Sequence, residues 1–251
     1  MVFFTDLDNT LVYSHRRVPP GKVIPAEILD GRVQGYMTKT SYDFLKSGAV
    51  RIVPVTLRTP AQYSRLAGVM ETFGCRQALL CGGGILLCGG EEDSSWTDET
   101  RQAARGYLYA LREAERYLRF LCPPEKVHCT EGIMVYAAAE DPAAAAAGVS
   151  RAVGGSPVTV YTDSRKVYCL PPMVNKGEGL RRLAARMRID FSCAAGDSLP
   201  DVPMLEAADL ALMPENLAEI VCNPNRRVMS GDGCFADFIC GVLKDTAQTG
   251  Y

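Results

Sequence analysis

Short apolar runs recur along the chain and alternate with longer stretches of helical period. The runs Val2-Phe3-Phe4, Arg51-Ile-Val-Pro-Val-Thr56, 77–81, 191–195, 209–213 and 226–229 read as strands, while 59–74, 176–188 and roughly 200–208 read as helices. Strand followed by helix, repeated, predicts a parallel doubly wound sheet. The middle of the chain has a different rhythm. A helix over 98–121 is stopped by Pro123-Pro124, strands lie near 127–138, a helix over 142–153 is opened by Asp141-Pro142, and strands follow at 157–162 and 166–170. Helix–strand–strand used twice predicts a small sheet with two helices on one face. The fold expected is therefore α/β: a doubly wound, parallel, Rossmann-like core over 1–82 and 172–251, with an inserted α+β cap domain over 83–171.

Local signals refine this outline. Asp30-Gly31 between the apolar runs of 22–29 and 32–37 predicts a hairpin. Thr40 is the expected cap of a short helix that Gly48 ends. Thr59-Pro60-Ala-Gln62 has the pattern of a capping box with Pro at the first helical position. Three glycines follow Cys81, but the Gly-Lys-Ser/Thr of a P-loop is missing, so they read as a tight, mobile crossing into the cap.

Charge and composition narrow the function classes. A net charge of −2 over 251 residues gives no reason to expect a nucleic-acid or membrane partner. The ten cysteines contain no C-x-x-C pair, and His15 and His128 have no ligand spacing to two of them, which argues against zinc. The cysteines read instead as buried thiols in a reducing compartment. With no basic and apolar leader and no apolar run near ~18 residues, a cytoplasmic protein is expected.

The candidate chemistry starts where the first strand runs out, at Asp6-Leu-Asp8-Asn-Thr10. Two carboxylates separated by one residue at the carboxyl end of a strand lie where open α/β sheets bind ligands. One could attack while the other moves a proton. Thr56 ends a strand that runs into a helix start, where an anion is favoured. Lys176 stands in the first turn of a helix, against the macrodipole, a placement that an adjacent anion would offset. Asp197 follows a strand and Asp201 comes four residues later at the next helix start.

Together these residues resemble the four motifs of the haloacid dehalogenase superfamily of phosphatases, and the resemblance spans nearly the whole chain. It implies that Asp6 is the nucleophile, Asp8 the general acid and base, and Thr56 and Lys176 phosphate holders. Arg58 could contact phosphate or merely cover its helix. The resemblance assigns the last acidic pair, Asp197 and Asp201, to Mg²⁺; with Asp6 and Asp8 they form the expected metal set. The large cap resembles that of the sugar-phosphatase branch, so the expected substrate is a small phosphate monoester, foremost a sugar phosphate. Three positions depart from the pattern: Pro200 stands where Asn is frequent, Gly83 or Gly84 replaces an Asn at the cap entrance, and Leu57-Arg58 replaces Gly-Arg. The alternatives are a phosphomutase of the same architecture, a receiver-like phospho-Asp module, which would lack the cap and a partner carboxylate two residues on, and a degenerate binding module. Lys126, Arg165, Lys166 and Tyr168 are the cap residues with the chemistry to meet a substrate.

Overall fold

The computed structural model describes residues 1–249, so the last two residues of the expected core, 250 and 251, lie outside the described chain. The chain forms two compact units. One comprises Met1–Glu92 together with the chain from Lys176 onward; the other is Asp93–Asn175.

The first unit is built on a five-stranded parallel sheet in the order Arg226–Met229, Leu210–Pro214, Ser192–Ala195, Val2–Thr5, Arg51–Pro54. Val2–Thr5 is buried along its whole length, which is why it reads as an uninterrupted apolar run rather than an alternating one. Helix Lys176–Met187 packs against the short helix Val202–Ala207 so closely that a Cβ on Gly177 would lie 2.2 Å from the Pro203 carbonyl oxygen.

The hairpin is present as expected: Val23–Leu29 pairs with Arg32–Thr38 across Asp30 and Gly31, both at positive φ, as a tight turn of this kind requires. The capping box at Thr59 and Gln62 is formed on both sides. Two local expectations shift, and one helix was not foreseen. The cap of the first helix, Lys39–Lys46, is Thr38 rather than Thr40, because Thr38 keeps the extended backbone of the strand it ends while its hydroxyl accepts from the Ser41 N–H. The stretch 59–74 is broken into Pro60–Tyr63, a 3₁₀ turn and Ala67–Thr72. The C-terminal helix Phe235–Thr249 had no counterpart in the sequence reading, although buried Phe235, Ala236, Ile239, Cys240 and Leu243 have helical spacing.

The triple glycine also behaves differently. Ile85–Cys88 pairs antiparallel with Gln77–Leu80, so the chain stays in the first unit until Glu92 instead of leaving it at residue 83. Cys81–Gly83 is a buried 3₁₀ turn, and Gly179 of the helix Lys176–Met187 comes so near that a Cβ there would meet Gly83 Cα at 2.9 Å. This segment is packed core rather than a mobile crossing.

The second unit is an antiparallel sheet in the order Thr159–Asp163, Lys166–Leu170, Met134–Ala138, Val127–Thr130. Helices Leu108–Leu121 and Pro142–Ala152 close one face over a buried cluster that includes Leu111, Leu118, Val135, Val149 and Val167. Gly148 admits the ring of Tyr117 from the other helix. The stretch expected as one helix over 98–121 is divided into Ser94–Ala103 and Leu108–Leu121 by a turn at Arg105–Tyr107, with Asp93 as the first cap.

All ten cysteines are free, and only Cys81, Cys122, Cys169, Cys193 and Cys240 are buried. Among the described residues no helix is long and apolar enough to cross a membrane.

Substituting Gly177→Ala should destabilise the protein by about 1–3 kcal/mol, because a backbone carbonyl cannot swing away as a side chain can. Gly241→Ala, where an added Cβ meets nothing within 4 Å, should instead be neutral or stabilise by up to ~1 kcal/mol. Urea unfolding of the two variants measures the difference.

Candidate active site

Three parallel neighbours end together, and that brings three of the expected residues to one edge. Asp6 follows Val2–Thr5 and still donates its N–H to the Ala195 carbonyl at 2.9 Å. Asp197 lies just beyond Ser192–Ala195 on one side, and Thr56 just beyond Arg51–Pro54 on the other. Carboxyl ends of adjacent parallel strands are where the chain leaves the ladder and side chains can converge.

Lys176 ties this edge together. It is 3 % exposed, and its Nζ donates to Asp6 Oδ1 at 2.6 Å and to Asp201 Oδ1 at 2.5 Å. Asp201 is fully buried, and its other oxygen accepts from the backbone N–H of Asp197 at 3.1 Å and from the N–H and hydroxyl of Ser198, both at 3.0 Å. Gly196 makes this possible, since a Cβ there would meet Asp201 Cβ at 2.3 Å. Pro200 sits inside the 3₁₀ turn Leu199–Asp201 at a position where its missing N–H costs nothing, so this departure leaves Asp201 in place. On the other side of the loop, the Thr10 hydroxyl donates to Asp197 Oδ1 at 3.0 Å.

Asp6, Asp197 and Asp201 each offer a carboxylate oxygen within 4.8 Å of the others. Burial pushes the Asp6 carboxyl well above the usual carboxylate range; the Lys176 ammonium opposes this, and Asp201, Asp197 and Asp8 add to it. Burial lowers Lys176, but Asp201 and Asp6 outweigh that and hold it above its ordinary value. One ammonium among several carboxylates leaves the cluster short of positive charge. A hard divalent cation with oxygen ligands fits this donor set, and the group contains neither Cys nor His for a zinc site.

Asp8 does not join that group. The chain turns sharply after Asp6, with Val12 N–H donating to the Leu7 carbonyl at 2.7 Å and Asn9 at φ 60°, and the turn points Asp8 toward Arg58. Arg58 donates from Nε to Asp8 Oδ2 at 2.8 Å and from Nη2 to Asp8 Oδ1 at 2.7 Å. Of the four carboxylates expected to hold a metal, Asp6, Asp197 and Asp201 lie together, while both Asp8 oxygens face a guanidinium. The two carboxylates of the first motif also differ in exposure, the Asp6 side chain at 8 % and that of Asp8 at 45 %. Thr56 is buried, and its hydroxyl oxygen accepts from the Arg58 N–H at 3.1 Å, which leaves its own hydrogen to donate.

Two contributors escaped the sequence reading. Thr10 stood inside the first motif without a role. Glu27, whose Oε2 accepts from Arg58 Nη2 at 2.8 Å, lies in the hairpin, where a single acidic residue reads as a solvent-facing one.

The sequence matches no protein-family model and no curated protein. Solved structures do share the fold. A sucrose-phosphatase from Synechocystis sp. PCC6803, solved with sucrose and phosphate, is similar at 15 % identity and TM-score 0.61, over 100 % of this chain and 98 % of that one. A sugar phosphatase of HAD subclass IIB aligns at 12 % identity and TM-score 0.63 over 99 % and 98 %, and a trehalose-6-phosphate phosphatase related protein at 16 % and 0.54 over 100 % and 98 %. The architecture is thus the haloacid dehalogenase-type Rossmann-like fold with an inserted domain.

Replacing Lys176 with Met should leave Asp6 and Asp201 buried without a counter-charge, a loss of about 3–5 kcal/mol at pH 8. Asp6, which burial already holds above the usual carboxylate range, then loses the ammonium that lowers it, so its protonation stabilises the fold at low pH and that contribution is lost as pH rises through the folded pKa. The deficit against wild type, measured by urea unfolding in EDTA, should shrink between pH 8 and pH 5.

Proposed function

We propose that this chain is a Mg²⁺-dependent phosphatase of small phosphate monoesters, foremost sugar phosphates, working through an aspartyl phosphate on Asp6. The observation that carries the reading is the division between the two carboxylates of the first motif. Asp6 is buried against Lys176 within the acidic cluster, and Asp8 stands half-exposed beside it on Arg58.

In the first step an Asp6 oxygen attacks phosphorus and the ester P–O bond breaks, while Asp8, protonated on an oxygen that swings off Arg58, delivers that proton to the departing alkoxide. In the second, Asp8 takes a proton from water, the water oxygen attacks phosphorus, and the Asp6–phosphorus bond breaks to release phosphate. Thr56 and Lys176 donate to phosphoryl oxygens throughout. A carboxylate and a phosphate about 4 Å apart repel by ~4 kcal/mol at an effective dielectric of 20. A divalent cation held by Asp6, Asp197 and Asp201 would supply the charge that cancels this. Positioning and charge neutralisation carry most of the rate in phosphoryl transfer.

The inserted unit supports the sugar assignment. On the face of its sheet opposite the helices, His128, Tyr136, Tyr168 and Tyr161 occupy directly paired positions on four strands. The His128 and Tyr136 rings stack at 4.8 Å, Tyr136 and Tyr168 at 5.4 Å, and Lys166 Nζ lies 5.9 Å from the Tyr136 ring centre. Tyr136 and Tyr168 are buried, so His128, which is exposed, and Tyr161, which is partly so, are the rings of the row open to a sugar, whose C–H face is apolar and whose edge carries hydroxyls. Tyr168 belongs to this row and Lys166 approaches it, whereas Lys126 and Arg165 are exposed. The solved sucrose-phosphatase that shares the fold holds sucrose and phosphate.

Chelation with EDTA should abolish turnover, and added Mg²⁺ should restore it. Acid-quench trapping with a labelled, activated phosphate donor separates the two carboxylates. Asp6→Asn should trap no label. Asp8→Asn should trap it and release it ~10²–10⁴-fold more slowly than wild type. Label on the Asp6 variant, or wild-type release from the Asp8 variant, would sink the assignment. Across sugar phosphates, nucleotides and phosphorylated acids, kcat/KM should be highest for a sugar phosphate. A preference for nucleotides would leave the phosphatase standing and remove the sugar.

A further inference from the structure

Glu27 is a carboxylate in the wrong place for a surface hairpin. It is 7 % exposed, while its neighbour Ile28 is 57 % exposed, the reverse of the usual sorting of polar and apolar side chains. The inversion has a local cause. The pairing register slips between Pro25 and Glu27 and again between Glu27 and Ile28, and an irregularity of this kind turns a side chain out of strict alternation. Opposite Glu27, Gly35 admits Val12 of the acidic loop, where a Cβ would lie 2.9 Å from Val12 Cγ1. The hairpin thus lies directly on the loop that carries Asp8.

What the inverted carboxylate meets is Arg58. Nη2 of Arg58 is shared between Glu27 Oε2 at 2.8 Å and Asp8 Oδ1 at 2.7 Å, Nε goes to Asp8 Oδ2, and Nη1 donates to the Gln62 carbonyl at 3.3 Å. Arg65 approaches the other Glu27 oxygen at 3.8 Å. A guanidinium is planar, and partners on several of its edges fix both its position and its plane. Asp8 is half-exposed and holds the Nε–Nη2 edge, while Glu27 takes the other hydrogen of Nη2 and the Gln62 carbonyl takes Nη1.

We infer that Glu27 is a positioning residue: it holds Arg58 in place, and Arg58 in turn holds Asp8 in one rotamer for its part in proton transfer. The inference rests on the phosphatase reading. A buried acid that merely neutralised two arginines would contribute to folding and leave every substrate equally affected. A positioning residue acts only on the step that needs Asp8.

The test compares an alkyl phosphate, whose alkoxide must be protonated, with 4-nitrophenyl phosphate, whose leaving group departs without a proton. Glu27→Ala should lower kcat/KM for the alkyl ester on the order of 10²-fold, the cost of a misplacement of about 1 Å. The aryl ester should lose several-fold less. Release of phosphate from trapped phosphoenzyme should slow as well, since that step also uses Asp8. Glu27→Gln, which keeps an oxygen to accept from Nη2 in the same volume, should restore most of the alkyl activity and guards against a misfolded Ala variant. Equal losses on both esters, or no loss, overturn the inference. A wild-type protein that hydrolyses neither ester with Mg²⁺ overturns the phosphatase reading instead.

Discussion

The ammonium of Lys176 between Asp6 and Asp201 is the interaction on which the rest of the site depends. It joins three segments far apart in the chain, and each is buried almost completely where they meet. Removing such charges from water costs several kcal/mol per ion, so a buried pair is poor evidence for stability as such. It is kept here by geometry. Gly177 lets the Lys176 helix lie against Pro203, Gly179 lets it lie against Gly83, and Gly196 lets Asp201 fold under its own loop. Each glycine stands where a side chain would collide with a neighbour, and together they draw the helix and the acidic loop to the end of the first strand.

The second constraint is the separation of Asp6 from Asp8. In a straight strand both would point the same way and repel each other. The turn after Leu7 breaks that equivalence and hands each carboxylate its own cation, Lys176 inside and Arg58 outside. Two like groups in unlike surroundings can take unlike parts in one reaction, and pairs of that kind mark acid and nucleophile in many active sites. The hairpin belongs to the same arrangement, because Glu27 completes the surroundings of Arg58 from a strand that looks unrelated to the site in the linear sequence.

The inserted unit has its own core and its own logic. Its two helices and alternate sheet residues bury one face, and the other face carries the aromatic row. The strict period of two along Lys166–Leu170 produces both results at once, with Val167 and Cys169 turned to the helices and Tyr168 turned away.

Much of this was legible in the sequence. Apolar runs bounded by polar turns located the strands of the parallel sheet, Asp30-Gly31 located the hairpin, Thr59 and Gln62 located a helix start, and the repeated helix–strand–strand rhythm located the second sheet. These signals depend on neighbours in the chain, so local physics determines them. The residues Asp6, Thr56, Lys176, Asp197 and Asp201 could be named for the same reason, since each occupies a strand end or helix start. Only the tertiary structure decided the rest. Gln77–Leu80 held Ile85–Cys88 in the first unit through hydrogen bonds that no local pattern specifies, and the three glycines became a packing surface for Lys176–Met187. Asp8 turned to Arg58, and Glu27 turned inward at a slipped register. Where a buried charge points is set by the partner it finds across the fold, and the linear sequence carries no distance between them.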